Sequence, residues 1–187
     1  HGGVVLPDGS IAKVKLDFET LRTLSKVARE EFGLCGAVQH GASTLPSEAF
    51  HKFAETETAE VHLATEFQNM VYESKAFPRD LRAKMYEWTK ANCASERKQD
   101  ETQEQFIYKA RKKALGPFKK DIAKLPQDIR DEIAAAIESK VDFLFKQLNT
   151  VNRKDLVNKN ITLKRVIKRK RAPAEEKELV RDTDGAD

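Results

Sequence analysis

Apolar positions follow a helical period over most of this chain and form a continuous run in only two short places. Phe18, Leu21, Leu24, Ala28 and Phe32 recur on one helix face, with Asp17 ahead of them as a cap and Gly33 behind them as a stop. Residues 34–39 are apolar until Gln39, which suits a strand covered on both faces. Pro46 and Ser47 open a short helix through Phe53, and "AEVHLAT" reads as a second strand ending near Thr65. A long helical region follows, with Phe67, Met70 and Val71 before the break at Phe77-Pro78 and Leu81, Met85 and Trp88 after it. Helix, strand, helix, strand, helix with short connections predicts a parallel α/β sheet or barrel.

After about residue 94 the pattern becomes helix only. "TQEQFIYKARKKAL" predicts a helix stopped by Gly116-Pro117. Pro126 then starts another, in which Ile129, Ile133, Ile137, Val141, Leu144 and Leu148 line one face. A stripe of that size must pack on the rest of the chain or on a second copy, and a homo-oligomer is among the expected partners. The predicted division is residues 1–93 as βα units, 94–150 as a helical extension and 151–187 as a charged, weakly ordered tail. The opening "HGGVVLPDGSIAKVK" reads as an excursion off a scaffold.

Charge changes this picture in one place. The net charge of +4 conceals nine Lys/Arg against one acid in residues 153–171, and six acids against two bases in residues 172–187. Residues 1–152 are neutral on balance, so the basic character belongs to the tail. With 34% charged residues, 40% hydrophobic residues and a mean hydropathy of -0.62, part of the chain is not expected to pack. Cys35 and Cys93 make neither a disulfide framework nor a thiolate cluster, which fits a reducing cytoplasm. No apolar run approaches the roughly 18–20 residues that span a bilayer, so no membrane is expected as a partner. The chain opens on His1 and its methionines are Met70 and Met85, so it reads as a piece whose beginning is missing.

Candidate chemistry gathers at the strand ends, where ligands sit in parallel α/β folds. His40 and Thr65 occupy two such ends, and His1-Gly2-Gly3 would be a third if a strand precedes it. Two neutral imidazoles suit a Zn²⁺ site, which needs at least one further protein ligand. Nothing in the spacing of His1 and His40 requires a metal, and a strand-to-helix turn has the same look. His51 reads as a solvated surface residue, and His62 inside the second strand reads first as a hydrogen-bonded core histidine.

"HGG" followed by "LDFETL", then "QHGAS", then "EVHLATEFQ" resembles the last part of a class II, zinc-dependent fructose-bisphosphate aldolase. The resemblance runs over about residues 1–90. It implies the C-terminal part of a (β/α)₈ TIM barrel, from the loop after strand six through helix eight, followed by the helical extension and the tail. His1 and His40 would then be two of three histidine ligands of a catalytic Zn²⁺. Gly2, Gly41, Ser43, His62 and Thr65 would line the phosphate of a phosphorylated sugar substrate, and the family allows a monovalent cation near that phosphate. The metal would polarise the carbonyl of dihydroxyacetone phosphate and stabilise the enediolate. No catalytic acid or base of the family falls within these residues, so the chain alone is expected to be inactive.

The second strand departs from the family pattern. Asn-x-Asp-Thr is replaced by His62-Leu63-Ala64-Thr65, which puts substrate identity in question and suggests, as an alternative, a non-catalytic sugar-phosphate binder. A second alternative is nucleic-acid binding through the basic "LKRVIKRKR" of the tail. That segment has no aromatic residue for base stacking and is followed at once by acids, so nucleic acid is not an expected partner.

Overall fold

A computed structural model describes residues 5–8, 10, 12, 16–162 and 164 of the chain. Helical residues make up 62% of these, and the sheet consists of two strands of two residues each. This corrects the expected TIM-barrel fragment: the described chain is a small, mostly helical protein carrying one short parallel strand pair.

Backbone geometry explains why the strands are so short. Gly33 sits at φ +63° and ends the first helix, and Gly36 at φ +143° turns the chain again. Extended pairing therefore begins only at β1 (Val38–Gln39). Leu34, Cys35 and Val38 are exposed, so the apolar run is not the doubly covered strand its composition predicted. The partner, β2 (Glu60–Val61), pairs in parallel with Val38 opposite Glu60 and Gln39 opposite Val61. It stops because the Ala64 N–H is taken by the Ser43 hydroxyl oxygen at 3.0 Å and a helix starts at Thr65.

Helix α1 (Phe18–Glu30) is capped by Asp17, whose carboxylate accepts from the Thr20 N–H at 3.0 Å. It buries Leu21 and Ser25, whereas Leu24 and Phe32 of the predicted stripe lie open. Between the strands run two 3-10 turns (Ala42–Thr44 and Ser47–Ala49) and the short α2 (His51–Glu55). The helices α3 (Thr65–Glu73), α4 (Arg79–Asn92), α5 (Gln103–Ala110), α6 (Lys119–Ala123) and α7 (Gln127–Gln147) complete this unit. Pro78 separates α3 from α4, and a 3-10 turn (Arg111–Leu115) continues α5 toward Gly116.

Two cores hold these elements together. One gathers Leu21, Ala42, Leu45, Phe50, Phe53 and Leu144, with Val61 and Leu63 of the strand region packed against it. The other gathers Tyr72, Phe77, Met85, Ala114 and Ile133. Helix α7 is long enough, about 1.5 Å per residue, to place Ile133 in one and Leu144 in the other. Ile129 and Ile137 of its stripe pack at the edge of the second core and Leu148 at the edge of the first. A smaller cluster of Cys93, Phe106, Ile107 and Ala110 lies beneath α5. There Thr102 caps the helix in a reciprocal box with Gln105. The same two side chains reach the opening segment, Thr102 Oγ1 donating to the Pro7 carbonyl at 2.8 Å and Gln105 Nε2 to the Val5 carbonyl at 2.7 Å. Part of the predicted excursion is thereby docked.

The chain divides into two compact units, His1–Val151 and Asn152–Asp187. Within the second, α8 (Lys154–Asn160) has no buried residue, and of the basic "LKRVIKRKR" only Lys164 is among the described residues. No helix among the described residues is long and apolar enough to cross a membrane.

Candidate functional site at the strand ends

Parallel pairing brings the residues that follow both strands to the same end. His40 follows β1 and His62 follows β2, and the His62 N–H donates to the Gln39 carbonyl at 2.9 Å. Their rings meet edge to face, with centroids 4.3 Å apart and planes at 63°. Both histidines are exposed. The core reading of His62 is thus corrected: the strand ends before its side chain can be enclosed. His62 Nε2 pairs with the Glu60 carboxylate, which occupies one of its two nitrogens.

Gly41 follows His40 at φ +71°, in the left-handed region that a side chain would resist, and leads into the turn Ala42–Thr44. Ser43 on this turn reaches across to the Ala64 N–H, as above, tying the two strand ends together. Thr65 begins α3 and is not a strand residue. His40, Gly41, Ser43, His62 and Thr65 therefore share one neighbourhood, built by a register of only two residue pairs and one serine hydroxyl. His51 is elsewhere, half exposed on α2 beside Glu55 at 3.6 Å. His1 and Gly2 lie outside the described residues.

Imidazole nitrogens are the donor type zinc takes, and among the described residues His40 has no hydrogen bond or ion pair occupying its ring nitrogens. The number of donors falls short of a complete site. Among the described residues no group of three or more His, Cys, Asp or Glu side chains is placed to hold a metal ion. His40 offers a ring nitrogen with no partner among the described residues, and His62 keeps Nδ1 while its Nε2 faces Glu60, so the two imidazoles supply at most two nitrogen donors here.

A second polar assembly, unannounced by the sequence, adjoins Thr65. Arg111 is buried, with its guanidinium 4.9 Å from the Tyr72 ring and 4.8 Å from the Tyr108 ring. Its Nη2 donates to Asn69 Oδ1 at 2.6 Å and to Glu73 Oε1 at 2.8 Å, and Nη1 to the Tyr86 hydroxyl at 3.2 Å. Burial alone would lower its pKa, but the hydrogen bonds and charge attraction of Glu73 and Tyr86 outweigh burial and hold it above the ordinary value. Burial likewise pushes the Tyr72 hydroxyl up to about 12, so it stays protonated and donates to the Arg111 carbonyl at 2.7 Å. Asn69 and Glu73 stand at i and i+4 on α3, one helical turn apart, which gives Arg111 two acceptors on one face. That spacing is readable in the sequence, but nothing local links it to an arginine 38 residues beyond Glu73.

No protein-family model matches the chain, and no curated protein and no solved structure matches it.

Proposed function

We propose that the ends of β1 and β2 form part of the metal and phosphate site of a metal-dependent aldolase acting on a ketose phosphate. The observation that carries this reading is the parallel pair itself, which sets His40, Gly41, Ser43 and Thr65 at one end of two adjacent strands. These are positions the resemblance assigns to the metal and the phosphate. His40 would hold the metal with a ring nitrogen, and a divalent ion there supplies Lewis-acid polarisation of a substrate carbonyl. Gly41 keeps the backbone open to a phosphate oxygen, and Ser43 fixes the second strand end beside it.

The test is metal and ligand affinity of the chain in two variants. His40→Ala should weaken Zn²⁺ binding at least about tenfold against a chromophoric chelator. Ser43→Ala should weaken dihydroxyacetone phosphate, followed by phosphorus NMR. Aldol cleavage, measured on the longest natural chain that carries this sequence, should disappear with His40→Ala. Wild-type zinc affinity and wild-type cleavage in that variant would reduce "QHGAS" to a strand-to-helix turn.

A further inference from the structure

A cavity of about 180 Å³ opens between α3 and the end of α5, lined by Thr65, Gln68, Asn69, Tyr108, Arg111 and two lysines, Lys109 and Lys112. It is smaller than the roughly 300–1,000 Å³ that encloses a drug-sized molecule, so it suits one functional group. Three cations line it and no acid does. The carboxylates that balance it stand outside: Glu101 pairs with Lys109 and Glu73 with Arg111. Lys112 is exposed and has no salt bridge among the described residues, which leaves the wall one positive charge in excess.

Donors with nothing to donate to are gathered here. Asn69 Oδ1 accepts from Arg111, so its amide nitrogen faces Tyr108 and donates to that hydroxyl oxygen at 2.8 Å. Tyr108 therefore has its own hydrogen left to give. The Thr65 hydroxyl and the Gln68 amide have no hydrogen-bond partner among the described residues. Arg111 uses three of its hydrogen bonds on Asn69, Glu73 and Tyr86 and carries five N–H groups in all. Its guanidinium lies over both the Tyr72 and Tyr108 rings, and these contacts with its hydrogen bonds hold it in place. Such a wall asks for a compact anion with several acceptor oxygens.

We propose that this cavity binds the phosphate group of a small phosphorylated molecule, with Lys112 as the incoming charge and Tyr108, Gln68 and Thr65 as hydrogen-bond donors. A phosphate monoester supplies acceptor oxygens in a tetrahedral arrangement and close to two negative charges, matching donors that come from two helices and a turn. The proposal rests on these donors alone and does not depend on the reading of the strand ends. Thr65 is the one residue the two neighbourhoods share.

The experiment is a titration of the full chain with inorganic phosphate, followed by backbone amide NMR, and repeated with glycerol 3-phosphate and with dimethyl phosphate. Amides of Gln68, Asn69 and Lys112 should shift, and the diester should bind more weakly than the monoester. Lys112→Glu should weaken phosphate about tenfold or more. Lys113→Glu, the same charge change on a side chain already paired with Glu96, should have a much smaller effect. Equal loss in the two variants would show general charge attraction and overturn the proposal. So would equal binding of the diester, or shifts confined to Gly41 and Ser43, an outcome that leaves the strand-end reading standing.

Discussion

Glu101 is nearly closed off from solvent, and Lys109 keeps it ionised. The hydrogen bond from Lys109 holds the Glu101 carboxyl below its ordinary value of 4.5. A carboxyl whose folded pKa is depressed adds stability above its unfolded value and loses it as the pH falls through the folded value. Glu101→Gln should therefore melt lower than wild type at neutral pH, and the gap should begin to narrow as the pH falls below 4.5, as read by thermal scans across the acid range. A gap that does not narrow at all as the pH falls through the acid range would mean that the side chain's shape, not its charge, holds the loop. At this scale the sequence was legible only where a residue's role is local. Asp17 as a cap and His51 as a surface residue follow from neighbours three or four positions away. The setting of Arg111 depends on Asn69 and Tyr72, 42 and 39 residues earlier, and no local period signals it.

Elements depend on geometry that composition does not express. The five helices α1, α3, α4, α5 and α7 fall where apolar spacing, caps and prolines put them; α6, one short turn after Gly116-Pro117, has no such signal. The strands are shorter than the apolar run implies because its Leu34 and Val38 are exposed rather than covered. Gly36 is the clearest cause: its φ of +143° is one that side chains rarely tolerate, and a Cβ there would lie 2.8 Å from the Glu57 carbonyl oxygen. This close approach lets the Ala59 N–H reach the Ala37 carbonyl at 2.9 Å and starts the parallel register. Gly36→Ala should destabilise the chain by at least about 1–3 kcal/mol in urea, and should broaden the amide signals of His40 and His62. Wild-type stability in this variant would mean that the register does not depend on that turn.

At the scale of the whole molecule, the first unit is joined through α7. Ile133 belongs to one core and Leu144 to the other, and Lys140 between them binds Glu66 of α3 at 2.6 Å while lying over the Phe50 and Phe143 rings. One rigid rod anchored in two cores makes each core feel the loss of the other. The sequence announced the rod through its aliphatic stripe, but not what it spans, because packing partners of a helix lie far away along the chain. Leu144→Ala removes a buried side chain beside Leu21 and Phe50, and should cost about 2–5 kcal/mol. The loss should appear as a single transition, with the fluorescence of Trp88, packed at the second core, changing at the same urea concentration as the backbone signal. Removal of residues 152–187 should leave that midpoint in place, since α8 buries none of its side chains. Two separate transitions in Leu144→Ala, with Trp88 unaffected by the first, would show that α7 does not couple the cores.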